Sequence, residues 1–488
     1  MLTQLSRRSR HLIPSAPNSL AKSIPFYQLF AIGFGTMIGV GWIIVAGSWI
    51  LTAGPGGAIV AFAVGAVAVL VVGLAYSEMG STFPFSGGEI VYVYEGLGTP
   101  AAFFIGWLLT LTFVAVCAFE IVASAWIVTV LLPNLDGPVL YRILGSNVTV
   151  GALVIGFSGL AALAAVNFRG GLASARLQNI ATGLKVTATI VFVVAALAHG
   201  SSANRAPWFA RDSSGSTWGA IVIVLATVPV WYGGFNTMPQ ALGEVADVSR
   251  LRNLATVMSL AIVAGFVFFA CVIVATASPV PRAALAHSDF PVAAALFGAF
   301  SSPWPGRAVL AAGLMGIITS WNACIFSGAR VLFCLARARI IPGHFSRVNA
   351  RFGSPGFAVL FICLVSAPIA LLGKNSLVPI INLIGINYAT GYLLVAVSLY
   401  RLRNREPLLE RPYRVPGHPY ITAAAIVIAA MFVLAATYGV WHASSHTVPS
   451  EFIALAAWLL GGYFVWRLAT GVRARTTPEE RRALISVR

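Results

Sequence analysis

The chain has 488 residues, of which 58% are hydrophobic and 9% charged, and its mean hydropathy is +0.87. Soluble proteins carry about 25% charged residues, so a soluble enzyme, a secreted disulfide scaffold and a disordered chain are excluded, and one large polytopic membrane domain is left. The formal net charge of +17 is spread over tails and short loops and never forms a basic stripe interleaved with aromatics, which argues against nucleic acid as a partner.

The tail over residues 1–25 is too polar and too rich in Pro and Ser for a cleavable signal sequence. A helix crossing about 30 Å of hydrocarbon needs about 20 apolar residues. That rule predicts six spans at 27–51, 57–79, 101–131, 149–166, 179–199 and 218–243. Six more follow at 253–277, 308–335, 357–373, 377–400, 420–441 and 452–470. No strand alternation of the outer-membrane-barrel kind appears, so the expected fold class is an all-α integral membrane protein of about 12 helices. The N-terminal tail is followed by a five-helix block over 26–200 and a second over 218–400. A cytoplasmic loop with helices eleven and twelve fills 401–470, and a C-terminal tail runs over 471–488.

With the N-terminus inside, 23 Lys and Arg fall on the cytoplasmic side, counting Arg467 at the inner end of the last span, and 6 on the other, which leaves Lys185 and Arg330 within spans. This asymmetry predicts a multi-pass protein of the inner cell membrane with both termini cytoplasmic. It also draws the basic loops to anionic lipid heads.

Two spans are poor helices by composition. The first reads GFGTMIGVGW (Gly33–Trp42), and the sixth reads PVWYGGFNTMPQ (Pro229–Gln240). Glycine costs about 1 kcal/mol against alanine in a helix interior and proline about 3 kcal/mol. Backbone unwinds at membrane depth only where it is buried in protein or lines a cavity. Spans one and six each open a five-helix block, and five is odd, so the second block enters the membrane in the opposite sense. That is the arithmetic of an inverted-topology repeat with paired broken helices. Close helix packing through small residues is the competing reading of the same glycines.

These residues resemble the amino acid–polyamine–organocation family of permeases. The resemblance is carried by Gly39-Val40-Gly41, by YSEMGSTFPFSGGEIVYVYEGLG (Tyr76–Gly98), by GFNTMPQALGEV (Gly234–Val245) and by SGARVLFCLARARIIP (Ser327–Pro342). Three positions depart from the family pattern: Asn236 stands where many members carry an acid, Trp42 follows the glycine pair, and Asp247-Val248 replaces an Asn-Pro. The resemblance implies a 5+5 inverted repeat with helices one and six broken and two extra C-terminal helices. It also implies a transporter, working by alternating access.

A zwitterionic substrate needs donors for its carboxylate and acceptors for its ammonium, and unwound backbone supplies both. The expected donors are the amides of Gly39, Val40 and Gly41, and the expected acceptors are carbonyls near Met37, Ile38, Trp231 and Tyr232. This matches the family's way of binding amino acids. Gly234 lies at the centre of the second break, beside Asn236, and Trp231, Tyr232 and Phe235 are expected as walls or an occluding lid.

Lys185 on the fifth span resembles a device of proton-coupled family members, in which an ammonium occupies the place of a sodium ion. A charge at membrane depth costs about 2.5–3.5 kcal/mol on insertion scales. Lys185 is expected a turn or two inside its span, so snorkelling to the interface is the alternative. Ser320, Asn322 and Ser327 are candidate neighbours on the eighth span. Glu120 has three readings: it shares a proton with Lys185, holds a substrate amine, or bonds helix backbone while protonated. Glu244, near Arg250 and Arg252, reads as a gate ion pair or a solvated charge, and Glu89 and Glu95 read as structural loop acids.

Enzyme chemistry finds little support. The five cysteines read as small packing residues, no His-based triad or metal set forms at membrane depth, and no Walker-type loop exists. His442 and His446 are four apart and read as an interfacial pair. No cofactor is expected. The expected activity is import of a net-neutral amino acid by proton symport, with an amine or polyamine permease, or an exchanger of the same fold, as the alternatives. A pure channel would need a ring of polar groups instead of paired breaks.

Overall fold

The computed structural model describes Leu20 and residues 22–444 and 448–486. Arg7, Arg8 and Arg10 of the N-terminal tail, together with His446 and Arg488, lie outside the described residues. The protein has an all-α membrane fold, and ten of its described helices are long and apolar enough to cross a bilayer. A short hairpin, Val139–Ile143 paired antiparallel with Ser146–Thr149, sits in one connection.

Ten and twelve differ at two places. The helix Gly41–Thr82 runs from the second half of the first predicted span through the whole of the second, kinked at Gly54. Gly54 has φ +75° and packs against the carbonyl of Trp208, 2.5 Å from where a Cβ would stand, so only glycine fits the bend. The ninth predicted span is the 15-residue helix Gly356–Ala370. At 1.5 Å per residue it is about 22 Å long, short of a full hydrocarbon core.

The fifth helix also differs. It begins at Gly171, not near residue 179, which makes Lys185 the fifteenth of its 28 residues and places it at mid-helix. The first two turns carry Ser174, Arg176 and Gln178, which lower the local hydropathy. Ser174 and Gln178 are nevertheless buried and turn the same face inward as Thr182 and Lys185. Successive positions three or four apart share a helix face, so this polar stripe is a helix–helix contact that a hydropathy window misses.

Both Gly-rich segments are interrupted. Gln28–Met37 stops at Ile38, whose φ and ψ are −96° and 77°, and helix resumes at Gly41. Thr217–Tyr232 stops at Gly233, and a short turn of helix, Thr237–Ala241, follows. The two interruptions lie against each other. Gly234, at φ +121°, brings its backbone so close that a Cβ there would stand 2.6 Å from the amide nitrogen of Met37. Elsewhere, large apolar side chains such as Ile190, Val191, Val194, Leu260 and Met431 point outward. In water such a surface would aggregate, and in a bilayer it is the face that lipid covers.

Candidate functional site

A cavity of about 80 Å³ opens where the two interruptions meet. Its polar wall is the backbone from Thr36 to Gly41 together with Glu120 and Ser320, and its apolar wall includes Val116, Phe119, Trp231, Phe269, Ile381 and Ile384. The Gly39 and Val40 amides have no backbone or side-chain acceptor among the described residues. Gly39 has little spare room, since a Cβ there would stand 3.2 Å from Ser320 Oγ and 3.5 Å from Glu120 Oε1. A Cβ on Gly41 would strike the indole ring of Trp231. The Trp231 ring is itself held by a hydrogen bond from Nε1 to Thr227 Oγ1 (2.9 Å) and by edge packing on Trp49.

Lys185 lies behind this backbone. Its ammonium donates to the carbonyl oxygens of Gly35 (3.1 Å) and Ile38 (2.6 Å) and to Thr319 Oγ1 (3.0 Å). It is 1% exposed, so it does not reach an interface. Three acceptors match the three donors of an ammonium. Gly35 and Ile38 flank the point where the first helix opens, and the break is what frees the Ile38 carbonyl from a helical partner. Ile38 was expected as an acceptor for a substrate ammonium; the residue using it is Lys185.

Glu120, on Thr99–Leu131, is 2% exposed. Its Oε1 accepts a hydrogen bond from Ser320, and its Oε2 has no partner among the described residues. A buried carboxyl oxygen without a donor costs more than a made hydrogen bond returns. Glu120 lines the cavity, so a bound cation or donor there would satisfy it.

Tyr232, Gly234, Phe235 and Asn236 sit outside the cavity lining. Tyr232 donates from its hydroxyl to the Phe62 carbonyl (3.1 Å), and Phe235 packs on Tyr76 and Tyr392. Gly234 provides the close backbone contact with Met37. Asn236 accepts from the Gly234 amide (3.1 Å) and donates to Glu89 (3.0 Å). Of the eighth-span candidates, Ser320 bonds Glu120, Asn322 bonds Ser174 and Gln178, and Ser327 Oγ has no partner among the described residues. Thr319, one residue from Ser320, is the one that meets Lys185.

Glu244 pairs with Arg330 and not with Arg250 or Arg252: Arg330 Nε lies 2.7 Å from Glu244 Oε1, with both side chains fully buried. Arg250 instead pairs with Asp247 on the surface. Glu78 is held by Arg403 and Arg411, and Glu95 by Arg482. The Glu244 partner had a signal in sequence, because Arg330 is one of the few basic residues that fall within the predicted spans. The cavity wall of Val116, Phe119, Phe269, Ile381 and Ile384 had none, since apolar residues in apolar spans look alike whichever way they face.

Comparison with known proteins agrees with this architecture. A family model described as amino acid permease matches residues 24–464. The branched-chain amino acid permease BcaP of Bacillus subtilis (strain 168) is 27% identical over 434 residues, covering 86% of this chain and 89% of that protein. The methylthioribose transporter of the same organism is 25% identical, covering 83% of this chain and 87% of its own length. Its aspartate-proton symporter is 23% identical, covering 96% and 86%.

Proposed function

The chain belongs to the amino acid permease family, it is a multi-pass membrane transporter and not an enzyme, and from that premise we propose that it imports a net-neutral amino acid by proton symport and alternating access. The proposed setting is the inner cell membrane, with the basic side and both termini cytoplasmic. The two five-helix blocks, 26–200 and 218–400, are read as inverted repeats that rock about the paired breaks.

The observation that carries the coupling is the position of the Lys185 ammonium among the Gly35 and Ile38 carbonyls and Thr319 Oγ1. Oxygens of this kind are what a sodium ion would take. A lysine there fills the place of the ion and can load and release a proton instead, with Glu120 across the cavity as its partner. Proton loss would free the Ile38 carbonyl and loosen the first break. The aspartate-proton symporter among the relatives is in keeping with this reading.

For the substrate, the Gly39 and Val40 amides suit a carboxylate, the unpaired Glu120 oxygen suits an ammonium, and the wall around them is apolar. A neutral amino acid with an aliphatic side chain fits all three. A second reading rests on Glu120 alone: an amine or polyamine would also satisfy its free oxygen. Uptake of labelled L-leucine into proteoliposomes, driven by an inward proton gradient and tested with and without sodium, is the experiment that decides. Accumulation that collapses with the proton gradient and ignores sodium is the expected result. Stimulation by sodium would overturn the coupling.

A further inference from the structure

By sequence Glu89 is a structural loop acid, and proton symport through Lys185 does not use it. It opens the short helix Glu89–Leu97, in the connection between two spans, and it is fully buried. Its Oε1 accepts from Asn236 Nδ2 at 3.0 Å, and its Oε2 accepts from Gln240 Nε2. Both donors come from the interrupted sixth span. Asn236 turns its own carbonyl oxygen to the amide of Gly234, 3.1 Å away. Gly234 is the residue whose backbone lies against Met37 in the first break. One unbroken chain of hydrogen bonds therefore runs from the Glu89 carboxyl to the contact between the two interruptions.

The surroundings leave this carboxylate without a counter-ion. No ion pair among the described residues includes it. The titratable groups facing it are the phenols of Tyr76 on Gly41–Thr82, Tyr92 on its own helix, and Tyr388 and Tyr392 on Leu377–Arg405. The Cys334 thiol of Pro303–Arg337 lies against the neighbouring Gly87. None of these is a cation. The Asn236 and Gln240 amides, helped by the Tyr76 hydroxyl and the Glu89 backbone N–H, hold the charge that a buried glutamate elsewhere in this protein shares with arginine. Burial pushes the Glu89 carboxyl up to about 7.

We propose that Glu89 is a positioning residue that latches the second helix break through Asn236, and that binding of a proton by its carboxyl releases the latch. The ionised carboxylate offers an acceptor to each of the two amides. A proton on Oε1, the oxygen that Asn236 holds, puts an O–H donor against Asn236 Nδ2, so that bond is lost while Oε2 goes on accepting from Gln240. Asn236 then no longer fixes the Gly234 amide, and the break is free to move. The inference rests on the transporter reading only for its consequence, since the latch itself is built from the chain's own residues.

Hydrogen–deuterium exchange of the full chain in lipid nanodiscs, without substrate, tests it. The readout is protection of the peptide covering Gly234–Asn236, corrected for the intrinsic pH dependence of exchange. In the wild type, protection should fall about tenfold as pH drops through the Glu89 transition, in line with loss of a charge-assisted hydrogen bond. Glu89→Gln should show the low protection at every pH, because its amide group donates where the latch needs an acceptor. Gln240→Leu removes one donor to the carboxylate while leaving Asn236 in place. It should keep the transition and move it to higher pH, since the anion has lost a stabilising contact. A merely structural role would leave that midpoint where it was. Protection independent of pH in the wild type, or a transition that survives in Glu89→Gln, overturns the latch. If Glu89→Gln fails to fold, an unmoved midpoint in Gln240→Leu overturns it equally. Failure of proton-driven uptake would overturn the transport reading and leave this measurement untouched.

Discussion

The Lys185 ammonium stands 2.6 Å from the carbonyl oxygen of Ile38, so the middle of one helix is tied to the point where another comes apart. A helical carbonyl is normally taken by the amide four residues on. Ile38 is released from that bond by the break that follows it, and the lysine takes up the freed acceptor. Charge and broken backbone thus explain each other: the ammonium needs oxygens at membrane depth, and the break needs a donor for its stranded carbonyl.

Substitution at Lys185 follows directly. Lys185→Ala strands the Gly35 and Ile38 carbonyls and removes the titratable group, so accumulation against a gradient should be lost while some exchange persists. Lys185→Arg keeps the charge but holds its proton above about pH 12, so proton-driven accumulation should fail here too. Wild-type uptake should rise as external pH falls, because protonation from outside loads the lysine. Uptake into proteoliposomes under imposed pH gradients checks all three. A working Lys185→Arg protein would sink the coupling role.

The glycines of the first break should separate by what they face. Gly39→Val would push methyl groups into Ser320 and Glu120, and Gly41→Val would push Trp231 out of the cavity wall. Both should abolish substrate binding while the protein still inserts and folds. Binding is read by thermal shift with amino acids, and folding by the monodispersity of the purified variant. Wild-type affinity in both variants would leave the glycines a packing role only.

The architecture was legible where chemistry changes sharply along the chain. Two clusters of Gly and Pro inside apolar runs marked the interruptions at Ile38 and Gly233, and an isolated Lys and an isolated Arg marked buried charge. What stayed hidden depended on the third dimension. The start of the fifth helix was misplaced because the buried polar face of Ser174 and Gln178 resembles a loop to a hydropathy window. Phe235 and Tyr232 looked like cavity walls from their position beside the break, yet their rings turn into an aromatic core with Tyr76, Phe62 and Tyr392. The pairing of Glu244 with Arg330 joins residues 86 positions apart: the isolated arginine signalled a buried charge, but nothing near Glu244 pointed to it over Arg250 and Arg252.

That pair makes a stability prediction. With both side chains fully buried, removing one partner leaves the other charged in a medium that cannot solvate it. Arg330→Met should cost about 3–5 kcal/mol, and the double variant Arg330→Met/Glu244→Leu should recover most of the loss. Thermal unfolding of the purified single and double variants measures the cycle. A double variant as unstable as the sum of the singles would mean that the two residues do not act as a pair.

The last prediction concerns the substrate and turns on the two ends of the cavity. The Gly39 and Val40 amides are donors without an acceptor, and Glu120 Oε2 is an acceptor without a donor. An α-amino acid satisfies both ends at once, the carboxylate on the amides and the ammonium on Glu120. A simple amine satisfies only Glu120 and leaves two buried N–H groups unpaired, at about 1–3 kcal/mol each. Neutral amino acids such as L-leucine, L-valine and L-alanine should therefore compete for uptake, and putrescine and ethanolamine should compete at least about tenfold more weakly. Glu120→Gln should weaken amino acid binding, because a neutral amide attracts an ammonium less than a carboxylate does. Competition assays against labelled L-leucine on the wild type and Glu120→Gln give the answer. Competition by putrescine or ethanolamine, with none by the neutral amino acids, would hand the site to the amine reading.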